Sequence, residues 1–187
     1  KWTFNEDYFT IYGSPEMVVS LTGSAEYKRD DSSTVLLQVM NHGKVLGFES
    51  EHDPKNANEV ELSKIEHEME YGITTALGVT AALSAEKAPL GIKTPAQSAG
   101  SLASGQVSDP LQFEIEVWKN ASAGSYPLEV ELSYQFQKDV YLEGNVSKNG
   151  IDSSFLYEEV NETHEIFIVI KEEADFEMYR INAVICN

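Results

Sequence analysis

Three stretches of this sequence carry groups that could do chemistry. The first is IEHEMEY, in which His67 sits between Glu66 and Glu68. On a strand, alternate side chains share a face, so Glu66 and Glu68 would converge on a cation while His67 points away. The competing reading is a solvated charged edge, a device that also discourages strand-to-strand aggregation. The second stretch runs from Glu49 to Glu61 and carries Glu49, Glu51, Asp53, Asn56, Asn58, Glu59 and Glu61. Calcium takes roughly six to eight oxygen ligands from flexible loops of this kind, and Asp30 and Asp31 in a neighbouring turn could add to them. Yet the spacing matches no EF-hand, and acidic chains make acidic loops for solubility alone. The third is Trp118, on the glutamate face of its segment. An exposed indole there would stack on a sugar or a partner protein, unless a loop such as 140–163 covers it.

Sharper catalytic signatures are missing from the chain. There is no GxSxG, no HExxH, no GK[ST] phosphate loop and no dinucleotide fingerprint. Paired carboxylates for sugar hydrolysis abound only because carboxylates abound, and such chemistry also needs a cleft. The formal charge is −18. Neutralising phosphates takes concentrated Lys and Arg, whereas Arg29 and Arg180 belong to no basic cluster. Nucleic acid is therefore a poor partner, and anionic lipid is repelled for the same reason. No apolar run approaches the roughly 20 residues of a membrane span, so this portion holds no transmembrane segment. With one cysteine, Cys186, no internal disulfide and no cysteine-based zinc site can form. No cofactor is implied, calcium being the one cation with a candidate loop. Three sequons, at Asn120, Asn145 and Asn161, are candidate glycosylation sites and point to an extracellular life. The first residues, KWTFNEDYFT, are no signal peptide, which suggests a processed chain or a piece of a longer one.

The elements that must position these groups read as strands. In FEIEVWKNASAGSYPLEVELSYQF, Phe113, Ile115 and Val117 face one way and Glu114 and Glu116 the other. After the corner, Leu128, Val130, Leu132, Tyr134 and Phe136 share a face. A helix would scatter both sets around its circumference, whereas a half-buried strand sorts them. MVVSLTGS, STVLLQVMN and HEIFIVIKEE are further strands, and Ile73, Thr75, Leu77, Val79, Ala81 and Leu83 alternate in the same way. Asn41-His42-Gly43 has hairpin chemistry. EHDPKNANEVELSK reads as a polar loop, and residues 138–163 as a polar, turn-rich stretch with Phe155 and Tyr157 as isolated packing candidates. FEMYRINAVICN starts another strand without a closing turn, so a further domain is expected to follow. Many strands with little helix predict an all-β, antiparallel Ig-like sandwich with long inter-strand insertions. It would occupy residues 17–173, between an N-terminal segment at 1–16 and a lead-in at 174–187. Tyr126, between Gly124 and Pro127, stands where Ig-type sandwiches place a tyrosine whose hydroxyl bonds upstream backbone.

These residues also carry a family resemblance. FEIEVWKNASAGSYPLEVELSYQFQKDV resembles the strand–corner–strand signature of the S-layer-domain-like proteins of archaeal cell envelopes. Their Ig-like repeats are similar to bacterial cell-adhesion-related sandwich modules. VVSLTGSAEYKRDDSSTVLLQVMNHGKVLGFES resembles the first two strands of such a repeat, PLGIKTPAQSAGSLASGQ its linking segment, and IFIVIKEEADFE its closing strand. The resemblance covers most of residues 17–178. It implies a secreted, non-enzymatic glycoprotein of the cell envelope with a structural or adhesion role, whose partners are other envelope proteins or neighbouring domains. A carbohydrate-binding accessory module, with Trp118 contacting glycan, is the alternative. A hydrolase using acidic residues is the third class.

Overall fold

The computed structural model describes residues 8–148 and 150–172. Two sheets face each other across one apolar core. The first has the order β2-β4-β9-β7, built from Met17–Leu21, Ser32–Asn41, Leu111–Val117 and Leu90–Ile92. The second has the order β3-β11-β10-β6-β8, built from Glu26–Tyr27, Gly150–Ile170, Gly124–Asn145, Ala76–Ser84 and Gln97–Leu102. Neighbours pair antiparallel except β3, which runs parallel to β11 at Glu26↔Val169 and Tyr27↔Ile170. In space this is the ABED sheet over the GFC sheet of an Ig-like sandwich. Between β6 and β9 the chain visits the first sheet as β7 and then the second as β8.

The alternation read from the sequence is what fills the space between the sheets. Leu111, Phe113, Ile115 and Val117 are buried and the residues between them are exposed. Opposite them lie Leu128, Val130, Leu132, Tyr134 and Phe136 from β10 and Ile166, Ile168 and Ile170 from β11. Phe113, wholly buried, sits where truncation to alanine costs about 3–5 kcal/mol through lost transfer energy and an unfilled cavity. In β6 the expected face is interrupted. Val79, Ala81 and Leu83 point inward, but the register slips between Ala76 and Val79, where Gly78 adopts φ 63°. The bulge leaves Leu77 half-buried and turns Ala76 into the core.

A second, smaller unit hangs on one end of the sandwich. It consists of β1 (Phe9–Ser14) paired with β5 (Lys44–Ser50), helix α1 (Ala57–Glu70), a short 3₁₀ turn at Tyr71–Thr74, and the outer half of the β10–β11 ribbon. β10 is 22 residues long, about 70 Å of extended chain, so one ribbon runs through both units. The segment 9–14 pairs with β5, and its Ile11 packs into the core of the sandwich. Three expectations are corrected here. The polar segment 51–70 holds a helix rather than a loop or charged edge strand. Residues 138–145 and 150–163 are the two arms of the ribbon, with a turn at 146–148, rather than a turn-rich stretch. Asn41-His42-Gly43 makes no hairpin, because β4 and β5 belong to different sheets. The run FEMYRINAVICN lies outside the described residues.

That last correction has a visible cause. Asn41 is fully buried. Its Oδ1 accepts the Gly43 N–H at 2.8 Å and the Glu16 N–H at 3.2 Å, and its Nδ2 donates to Thr74 O and Leu102 O, both at 2.8 Å. A Cβ on Gly43 would lie 2.5 Å from Ser14 O and 2.7 Å from Pro15 Cα. Only glycine permits that approach, so Asn41 and Gly43 together steer the chain out of the sandwich into the smaller unit.

Candidate functional site

The densest polar chemistry lies where α1 meets the ribbon. Asn56 caps the helix: its side chain accepts the Asn58 and Glu59 N–H groups, and Glu59 reaches back to the Lys55 N–H at 2.6 Å. This is a capping box shifted onto asparagine, and it was legible in Asn56-Ala57-Asn58-Glu59. Two residues past the cap, the Asn58 side chain grips the ribbon tip, donating to Gly144 O at 3.1 Å and accepting the Val146 N–H at 2.9 Å. At the other end Gln137 donates to Met69 O at 2.8 Å. Asn58 to Glu70 spans about 18 Å of helix and Val140 to Val146 about 20 Å of strand, so both ends can be tied at once.

A β-bulge sets which side of the ribbon the helix covers. In the sandwich even residues of β10 pair with even residues of β11, as in Leu128↔Ile166. Beyond Lys138 even pairs with odd, as in Val140↔Phe155. Because β11 alternates without interruption, Val140 and Leu142 lie on the ribbon face opposite Phe136. There they form a second apolar cluster with Tyr8 and Leu62, flanked by Ile65 and Met69.

Beside this cluster sit the acidic residues. Glu66 and Glu70, one helical turn apart, are 0 % and 2 % exposed. Glu66 Oε1 accepts the Tyr8 N–H at 2.6 Å and the Phe9 N–H at 3.1 Å. Glu70 accepts the Val140 N–H at 3.1 Å and the Ile11 N–H at 3.5 Å. The carboxylates thus bond the free edge of β1, and Glu70 joins that edge to β10 as a ladder rung would. Burial pushes the Glu70 carboxyl up to about 7, with the hydrogen-bonded Asp139 carboxyl adding to the rise and the Val140 N–H opposing it. Burial also raises Glu66 and Asp139, against the backbone donors that hold them. A carboxyl near neutrality suits general acid chemistry, but here solvent and substrate are shut out.

His67 packs instead among Phe9, Phe48 and Tyr71, with ring centroids 5.0, 6.1 and 5.3 Å away. Glu68 is exposed, so the expected Glu66–Glu68 convergence is replaced by Glu66 with Glu70. The calcium loop does not assemble either. Glu49 accepts the Tyr12 hydroxyl at 2.9 Å, Glu61 pairs with Lys64 at 3.3 Å, the side chains of Asn56 and Glu59 serve the helix cap, and that of Asn58 bonds the ribbon tip. Among the described residues no three His, Cys, Asp or Glu side chains gather around a common point.

The remaining candidates are scattered. Trp118, directly after β9, is 52 % exposed, and no loop among the described residues buries it. The Tyr126 hydroxyl donates to Ser122 O at 2.9 Å, four residues upstream. Asn120 is exposed in a turn. The Asn145 side chain accepts the Ser147 N–H at 3.0 Å, and that of Asn161 accepts the Ser133 hydroxyl. Phe155 and Tyr157 stack on one another, half exposed, 6.2 Å apart. Asn161 also borders a shallow groove of about 320 Å³ on the second sheet, lined with Gly78, Thr80, Ser133, Gln135 and Glu159. No helix among the described residues is long and apolar enough to cross a membrane. Set against known proteins, the chain matches no family model, no curated protein and no solved structure.

Proposed function

We propose that this chain is a non-enzymatic structural or adhesion module of a secreted, envelope-associated protein, holding neighbouring domains or other envelope proteins in place. One observation carries the proposal. Asn41, Ser63, Glu66, Glu70, Thr74 and Ser108 are the buried polar side chains among the described residues. Each bonds the protein's own main chain. A reactive centre aims some of its buried polar groups at a substrate; here Asn41, Glu66, Glu70 and Ser108 fasten one segment to another, Ser63 and Thr74 bond carbonyls of their own helical turns, and Glu66 Oε2 alone among these groups has no partner. The likeness of residues 17–178 to envelope repeats and the exposed sequon at Asn120 support the same direction. Fractionation of the source cells tests it. Recovery in the envelope or extracellular fraction is expected, with peptide mass mapping showing sugar on Asn120. A purely cytosolic pool would remove the proposal.

The groove favours a second reading, a carbohydrate-binding module. Its hydroxyl, amide and carboxylate lining suits a polyhydroxylated ligand, and its size is near the lower end of small-molecule sites. Trp118 lies on the other sheet and does not join it. Glycan-array binding that is lost in a Gln135→Ala variant would favour this reading over pure scaffold.

A further inference from the structure

The shallow groove on the second sheet is laid out in cross-strand rows. One row sets Asn161 opposite Ser133 and Ser133 opposite Thr80. The next sets Glu159 opposite Gln135 and Gln135 opposite Leu77. All but the half-buried Leu77 are exposed. Between the rows the β6 bulge places Gly78, where an added Cβ would meet nothing within 4 Å. Ser133, Thr80 and Gly78 thus make a low floor, and the longer Gln135 and Glu159 a wall. From β11 across β10 to β6 the floor is about 10 Å wide.

Asn161 borders this groove and also opens the sequon Asn161-Glu162-Thr163. Residues two apart on a strand share a face, and Thr163 is exposed beside Asn161. The Ser133 hydroxyl donates to Asn161 Oδ1. That leaves Nδ2, the atom that takes a sugar, without a bond among the described residues. Asn120 lies in a turn after β9 and Asn145 at the ribbon tip, and neither borders the groove. We infer that Asn161 carries an N-linked sugar and that the groove is the surface on which its first rings lie.

The linkage forms when Asn161 Nδ2 displaces the phosphate of a lipid-linked sugar donor at the anomeric carbon. An N–C bond forms, the C–O bond to phosphate breaks, the lipid phosphate departs, and one Nδ2 proton passes to a base of the transferring enzyme. The sugar's hydroxyls then meet the Gln135 amide and the Glu159 carboxylate, with a C–H face over Leu77 and Gly78. A shallow groove holds a free sugar weakly, but a short tether keeps the attached one at about millimolar effective concentration or above. The inference rests on the secreted reading, because the donor must be met outside the cytosol. It deepens that reading by making the groove's ligand one the chain carries rather than one it captures.

Peptide mass mapping of the chain from its source cells reads the first half. The Asn161 peptide should carry sugar mass, lost in Thr163→Ala, a change that keeps Asn161 and its bond from Ser133. For the second half, the glycosylated chain should melt about 2–4 °C above the Thr163→Ala chain for each hydrogen bond the sugar adds. Hydrogen exchange across Ala76–Ser84 should also be slower with the sugar in place. Gln135→Ala should erase most of both differences, while in the Thr163→Ala background it should leave melting nearly unchanged. A bare Asn161 in a chain recovered from the envelope fraction with sugar on Asn120 would overturn the inference and leave the proposed function standing. Sugar on Asn161 whose loss alters neither melting nor exchange would overturn the groove as its resting surface. A purely cytosolic pool would overturn both readings.

Discussion

Replacing Asn41 probes the join between the two units. Its amide makes four bonds to main-chain groups of Glu16, Gly43, Thr74 and Leu102. Asn41→Leu keeps the branched shape and strands two N–H and two C=O groups in a site without exposure. At about 1 kcal/mol for each bond lost, the change should cost on the order of 4 kcal/mol. That is a large part of the roughly 5–15 kcal/mol that holds a domain folded. Asn41→Asp is the more discriminating change, because it keeps the shape and both accepted bonds. Its second oxygen, however, faces two carbonyl oxygens at the positions where the amide donated. The new carboxyl is therefore driven to hold a proton, and its folded pKa is raised above the unfolded value. The sign follows: its deficit against the parent is smallest below the ordinary carboxyl range and grows as pH rises through the raised value. Urea unfolding followed by circular dichroism, at several pH values between about 4 and 8, reads this directly. An Asn41→Asp deficit that is absent at neutral pH, or the same at every pH, would refute the bonding scheme.

Glu70 should make the smaller unit more stable in mild acid than at neutrality. Its folded pKa is raised to about 7, so that stabilisation is full below the ordinary carboxyl value and is lost as pH rises through about 7. Glu70→Gln should flatten the pH dependence of melting over this window by on the order of 3 kcal/mol; an unchanged slope would contradict it. Deleting Lys138 removes the bulge and turns Val140 and Leu142 away from α1. Hydrogen exchange should then rise throughout Ala57–Glu70 while the sandwich strands stay protected, and slow exchange in the helix would count against the bulge as its anchor. Tyr126→Phe loses the solvent-exposed bond from its hydroxyl to Ser122 O while the half-buried ring stays packed, and should cost about 1 kcal/mol or less, measured by melting against the parent.

The sandwich was legible because its strands meet oil on one side and water on the other. That asymmetry writes period two into Leu111–Val117 and Leu128–Phe136, and the structure buries those same residues. The helix was hidden for the opposite reason. Two of its inward positions are Glu66 and Glu70, so an apolar stripe never appears, and only the Asn56–Glu59 cap advertises its start. The outer ribbon was hidden by its bulge, which breaks the alternation at Lys138, and by one face that stays wet. The Asn41–Gly43 turn misled because hairpin chemistry and a close-packed exit share the same residues. Whether Asn-x-Gly closes a hairpin depends on where the next strand finds its partner, which is long-range information.

The smaller unit also shows why carboxylates, beside the apolar contacts of Leu62, Ile65 and Met69, hold α1 in place. β1 presents the N–H groups of Phe9 and Ile11 along an edge that no strand reaches, and the bulge leaves the Val140 N–H equally unpaired. Buried donors of this kind cost about 1–3 kcal/mol each if nothing accepts from them. An apolar helix face would have covered them and left that cost standing. Glu66 and Glu70 accept from all three, and a carboxyl that can hold a proton avoids much of the cost of burying charge. One edge of the two-stranded sheet is thereby closed.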